Sequence, residues 1–358
     1  MGGLGIAALA GCSGTNAVGS NPSTSATGTT NGNTVTDATS RTVTLPSSID
    51  DIVAVGPGAL NLVAYLDAIE MVAGVEENEH SWGQYNPYNL ANPELQELPV
   101  IGPHKGGDAE LIASAEPDVV LATYFTAGTA SDLQEKIDAP VVVLKASSRP
   151  LHRLEGMYED LRFAAEIIGK PDRAETVVEY FEDERDDLAE RTADVPKDDR
   201  LGAYYAGRSD SGGAGATSTQ HPLASFSFVN ANNVADSIEG HADVSKEELV
   251  TWDPAAIFVA ESNLDQVTES LSGETYEGIR AIENDRVYGL LPTRFYGNLY
   301  GSTIANAYYV GSILYPDRFD DVTPRERAGE IYEFLVGSEV YGALAEQYGG
   351  FKKIDLAQ

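Results

Sequence analysis

Short runs of β-branched residues alternate with amphipathic stretches along most of the chain. Residues 52–56 read IVAVG, a strand buried on both faces and closed by Gly-Pro-Gly. The following ALNLVAYLDAIEMVAGV sets Leu60, Val63, Ala64 and Ile69 at helical spacing. Strand, glycine turn, helix and strand open a doubly wound α/β unit. RTVTLP, from Arg41, alternates as a strand before it, and PDVVLA (117–122) and APVVVL (139–144) supply continuous apolar runs of the kind a parallel sheet buries. These place a first lobe at 41–150.

The period then changes from two to 3.6. Two helical stretches fill 151–195, divided by Gly169-Lys170-Pro171, a C-terminal glycine followed by an N-terminal proline. The second, 172–191, carries Ala174, Val177, Val178, Phe181 and Leu188 on one face. Twenty residues make a rod of about 30 Å, enough to join two lobes. Past Pro196 the α/β rhythm restarts with LGAYYA, a Gly/Ser-rich loop, a helix at SFSFVNANN, AAIFVA (255–260) and DRVYGLLP. The Tyr-rich remainder reads as helical and closes a second lobe, 196–358. The predicted fold class is α/β, two doubly wound lobes joined by a long helix.

One unit occurs twice. DAELIASAEPDVVLA (108–122) and SKEELVTWDPAAIFVA (245–260) are each a capped short helix, a proline and a buried strand. Glu110 and Glu247 lie seven residues before Pro117 and Pro254, at the second helical position, pointing outward. Acidic residues in a first turn also favour the helix dipole, so position alone leaves their purpose open.

Composition adds two constraints. Fifty-six acidic residues against 23 basic give a net charge of -33, yet 42% of the chain is apolar, so the charge belongs to a folded protein. A dense carboxylate surface with few lysines suits solvation in concentrated salt, a halophilic pattern, and disfavours nucleic acid or anionic lipid as partners. The only cysteine, Cys12, excludes an internal disulfide and a multi-cysteine metal site. It ends the run Leu9-Ala10-Gly11-Cys12 and precedes a Ser/Thr/Gly tract. That pattern resembles a lipoprotein signal: 1–12 a signal remnant, Cys12 lipidated, and 13–40 a flexible tether to the outer face of a membrane.

The paired units, the strand, turn and helix at 52–62 and the linking helix together resemble the class III substrate-binding proteins of ferric-siderophore and cobalamin importers, from Arg41 to Tyr315. The resemblance implies a non-enzymatic, cofactor-free component that hands a metal chelate to an ABC permease dimer with its ATPase. It further implies that Glu110 and Glu247 seat in arginine pockets of the two permease subunits. Ligands of open α/β sheets bind beyond the carboxyl ends of the strands. The loops there carry Trp82, Tyr85, Tyr88, Tyr124, Phe125 and Arg149 in the first lobe. In the second they carry Tyr205, Arg208, His221, His241, Arg294, Tyr296 and Tyr300. Arginines among aromatics suit an anionic, partly flat ligand such as a ferric siderophore. Any one of them could instead pack on its own lobe, and His241 could itself ligate iron or cobalt.

Other readings are a corrinoid, haem, an oxyanion such as molybdate, or a bare metal ion. The last requires converging ligands, whereas the five histidines are scattered. A secreted hydrolase lacks support: there is no nucleophile elbow, HExxH or phosphate loop, and the glycines at 211–215 lack the Lys-Ser/Thr ending. An adhesion lipoprotein remains as a reading of another class.

Overall fold

The computed structural model describes residues 30–31, 33–145, 151–208 and 215–356. Each lobe is built on a parallel sheet. In the first, Ile52–Val55 is flanked by Val72–Gly74 on one side and Val119–Ala122 on the other, with Val141–Val143 outermost. In the second, Gly202–Ala206 is flanked by Asn232–Asn233 and Ala256–Val259, followed by Val287–Gly289. Numbered by appearance, both sheets run in the order second, first, third, fourth. The predicted α/β fold of two doubly wound lobes is therefore present, and its central strands are buried on both faces.

The repeated units form as the caps dictate. Asp108 accepts from the amides of Glu110 and Leu111 to start helix Ala109–Ser114. Ser245 and Glu248 close a reciprocal capping box on helix Lys246–Trp252. The linking segment is helix Glu155–Ile168, a left-handed Gly169, then helix Pro171–Glu190. The second helix buries Ala174, Val177, Val178, Phe181 and Leu188, the face its periodicity predicts.

Three expectations change. The tether drawn to residue 40 overlaps an antiparallel sheet in which Thr34–Thr36 pairs with Thr42–Thr44, because Val35 and Val43 face each other and are both buried. The helix expected over SFSFVNANN is only Ala224–Phe228; Asn232–Asn233 joins the sheet edge instead. Within the C-terminal stretch, Lys352–Lys353 adds an antiparallel edge strand to the second sheet.

The lobes share a continuous seam. Phe181 packs near Tyr65 of the first lobe and Tyr300 of the second, with ring centroids 6.0 and 6.5 Å away. Arg173 donates to the carbonyls of Tyr65 and Phe334. Phe181→Ala would empty this fully buried position and is expected to cost about 3–5 kcal/mol. Urea unfolding measures it; a loss below about 1 kcal/mol would mean that the seam re-forms around the cavity.

Candidate functional site

The first and third strands of each sheet stay paired to their carboxyl ends, and the loops leaving them bound the space between the lobes. On the second-lobe side the cleft holds a cavity of about 50 Å³ lined by Tyr205, Arg208, Gln220, Ser225, Glu261, Thr293, Arg294 and Thr303, among others. A smaller cavity of about 10 Å³ lies against the first lobe, between the Pro57-Gly58 turn, Thr123, Asp160, Asn298 and Tyr300. Tyr300 and Thr303 stand one turn apart on helix Tyr300–Leu314, so one helix face borders both spaces.

Arg208 directly follows the glycine that ends strand Gly202–Ala206. Its Nε donates to Gln220 Oε1 at 2.8 Å, and Gln220 in turn donates to the Pro222 carbonyl at 3.1 Å. The guanidinium is thus oriented by a side chain that is itself held, which fixes its direction into the cleft wall. Ser225 is buried, and its Oγ has no hydrogen-bond partner among the described residues. An orphaned hydroxyl in a cleft wall is a group awaiting a ligand or water. Arg294 is exposed on the cleft rim.

The residues singled out in the sequence divide between two places. Tyr205, Arg208 and Arg294 line the cleft, and Tyr300 lines the first-lobe cavity. Tyr124 stands 55% exposed after strand Val119–Ala122, in a left-handed conformation. Arg149 and Cys12 lie outside the described residues. The remaining aromatics belong to the seam. Tyr85 packs on Phe295 and Tyr348 at 5.1 and 5.8 Å, and Trp82 packs on His104 and Phe295 at 5.4 and 5.9 Å. Tyr296 is buried with its hydroxyl on Glu76. Tyr88 is a correction: it is 1% exposed, with its hydroxyl donated to Glu79, so its ring serves the first lobe's core and has no surface to offer a ligand.

His241 is a second correction. It sits on strand Gly240–Asp243, antiparallel to Ser218–His221, and is absent from the cleft lining. Its Nε2 lies 2.9 Å from Ser218 Oγ, whose hydroxyl donates to the Arg208 carbonyl. With that proton spent, Nε2 is the donor of the pair. His241 therefore braces the turn that carries Arg208 and stands one shell behind the ligand space. His221 and Phe125 likewise face their own lobe.

Two carboxylates that the sequence did not mark lie beneath the first-lobe turn. Glu76, 2% exposed, accepts from the Gly56 and Gly106 amides and from Tyr296, and burial pushes its carboxyl above the ordinary range. Burial also pushes Glu79 up to about 7, against the lowering hydrogen bonds from Asn89 and Tyr88. Among 56 acidic residues, two more give no contrast in sequence. Among the described residues no group of three or more His, Cys, Asp or Glu is placed to hold a metal ion.

Residues 52–293 match the family model described as periplasmic binding protein. The chain belongs to the periplasmic binding protein family. Members of this family are substrate-binding proteins. The chain is 28% identical over 320 residues to the molybdate-binding protein MolA of Haemophilus influenzae, covering 84% of this chain and 89% of that one. Among solved structures it is similar to MolA bound to molybdate, with a TM-score of 0.66 at 23% identity over 86% of this chain and 98% of that one. A periplasmic solute-binding protein from Veillonella parvula gives 0.68 at 20% identity, over 88% and 96%. A periplasmic haem-binding protein from Pseudomonas aeruginosa gives 0.53 at 21%, over 75% and 93%. No helix among the described residues is long and apolar enough to cross a membrane.

The raised carboxyl of Glu79 has a measurable consequence. A carboxyl whose folded value lies above its unfolded value of 4.5 keeps its proton in the folded state after the unfolded chain has lost it. Stability therefore falls as pH rises from 4.5 toward about 7. Glu79→Gln is expected to flatten that fall in thermal melts run in high salt between about pH 5 and pH 8. A slope the substitution leaves unchanged would contradict this.

Proposed function

We propose that the chain is the substrate-binding component of an ABC importer, held at the outer face of the membrane through a lipid on Cys12, and that its ligand is a small oxyanion of the molybdate kind. The observation that carries the ligand reading is the cleft lining: Arg208 held by Gln220, Arg294 at the rim and the orphaned Ser225 hydroxyl. Guanidinium and hydroxyl donors around a small space suit a compact multivalent anion. The molybdate-binding relative supports the same choice. The seam takes up Tyr85 and Tyr296 and the first-lobe core takes up Tyr88, which removes part of the aromatic surface expected to stack on a ferric siderophore, while Trp82 stays 36% exposed. A metal chelate or haem is the second reading, favoured by Tyr124, whose exposed ring stands at the first-lobe rim.

Glu110 and Glu247 are proposed to dock the permease. They occupy equivalent second positions of helices Ala109–Ser114 and Lys246–Trp252, one on each lobe, and neither has an ion-pair partner among the described residues. Each lies in a first turn whose other groups are already capped, so its carboxylate is available to a cationic partner.

Titration of the soluble chain with molybdate, read by tryptophan emission, tests the ligand. Saturable binding is expected, and Arg208→Gln should weaken it about 10- to 100-fold, the worth of a charge-assisted hydrogen bond. Response only to haem or ferric chelates would transfer the reading to the second ligand class. Because a net charge of -33 repels an anion at long range, association should quicken as salt shortens the screening length from about 10 Å at 0.1 M to about 3 Å at 1 M. An association rate that falls with salt would argue for steering by the cleft arginines over repulsion by the surface. For docking, the double variant Glu110→Lys and Glu247→Lys should lose uptake by the cognate permease while its affinity in solution stays unchanged. Lost affinity would assign these glutamates to the lobes.

A further inference from the structure

The rim arginine sits on a structure too slight to hold itself. Strands Arg294–Phe295 and Gly297–Asn298 form a ribbon with only two residues paired on each side. A two-stranded ribbon of this length has no stability of its own. It leaves the last parallel strand of the second lobe, yet its contacts are with the first. Tyr296, at the tip, donates its hydroxyl to Glu76 Oε2 at 2.8 Å and accepts from the Lys105 amide at 2.8 Å. Its carbonyl accepts from the Gly58 amide at 3.0 Å. Asn61 Nδ2 donates to the Asn298 carbonyl at 3.1 Å. Gly297, at φ 115°, lies so close to the first-lobe turn that a Cβ there would sit 2.6 Å from Gly58 Cα.

Glu76 is the common partner. Besides Tyr296 it accepts from Gly56, at the end of the first strand, and from Gly106. One buried carboxylate therefore joins the switch-point turn, the 105–106 loop and the ribbon tip. We propose that Tyr296 and Glu76 form an interlobe latch that sets the position of Arg294 over the cleft, so that both are positioning residues for ligand affinity; this rests on Arg294 being an anion-binding residue. The latch crosses from one lobe to the other, and the arginine lies two residues from its tip. Release of the tip would free the ribbon and withdraw the guanidinium together. Trp82, whose ring lies 5.9 Å from Phe295 and 6.3 Å from Tyr296, packs directly on the ribbon and reports on it.

The test uses the soluble chain with molybdate as the probe and tryptophan emission as readout. Tyr296→Phe and, independently, Glu76→Gln should weaken binding about tenfold, chiefly through faster dissociation. In an Arg294→Ala background, Tyr296→Phe should change affinity by less than about twofold, since the residue it positions is gone. Equal losses in both backgrounds would assign Tyr296 to general stability and overturn the proposal. Without ligand, Tyr296→Phe should speed amide exchange at Lys105, whose donor loses its acceptor; unchanged exchange there would also overturn the latch. A wild-type chain that ignores molybdate would remove the anion reading alone, and the exchange measurement would still decide the latch.

Discussion

Both sheets depend on a strand that must end without a side chain. The first strand of each lobe runs into a glycine at positive φ, Gly56 at 93° and Gly207 at 83°. A Cβ on Gly56 would meet Thr123 Oγ1 at 2.6 Å and the Thr123 carbonyl at 2.7 Å; one on Gly207 would meet Val267 at 2.6 Å. The chain leaves each sheet in a left-handed turn pressed against its neighbour, and only glycine does this without strain. In both sheets the second strand lies on one side of the first and the third on the other, so the chain leaves the first and third strands in opposite directions. The crevice between them is where the cleft residues gather.

Charge is distributed to serve that crevice. The chain is strongly acidic overall, yet two of its few arginines border the cleft, while the carboxylates closest to the seam are buried under amides and phenols. Burial holds the carboxyls of Glu76 and Glu79 above their ordinary range, which favours the protonated form of each. Glu76 accepts from backbone amides and Tyr296, and Glu79 from Tyr88 and Asn89, while the cleft wall holds Arg208 and Arg294 with Glu261 as the carboxylate beside them. An acidic exterior repels anions at a distance, whereas the arginines of the cleft wall attract negative charge at close range.

The aromatic residues show how far a loop pattern can mislead. Trp82, Tyr85, Tyr88 and Tyr296 follow strand ends, where ligand-facing rings are expected, but the structure turns them into the interface between lobes or into a core. The 294–298 ribbon draws three of them together from 82–85 and from the opposite lobe. Period-two and period-3.6 patterns say whether a residue is inside or outside its own lobe. They carry no information on what the other lobe brings to it.

Local physics made much of this protein legible from its residues. Continuous apolar runs, capping residues, a glycine followed by proline and a twice-used helix, proline and strand unit suffice for the α/β class, the linking helix and the equivalence of Glu110 with Glu247, because each depends on neighbours within one turn or one strand. The short Thr34–Thr36 strand escaped because its stability comes from Val43 across the pair. The division of the aromatic and cationic loop residues between cleft and seam, the bracing of Arg208 by Gln220 and His241, and the burial of Glu76 beneath a tyrosine 220 residues away were settled by packing. Such contacts are chosen by the closing of two lobes around one helix, and their energy lies in pairs far apart along the chain, where no local pattern records them.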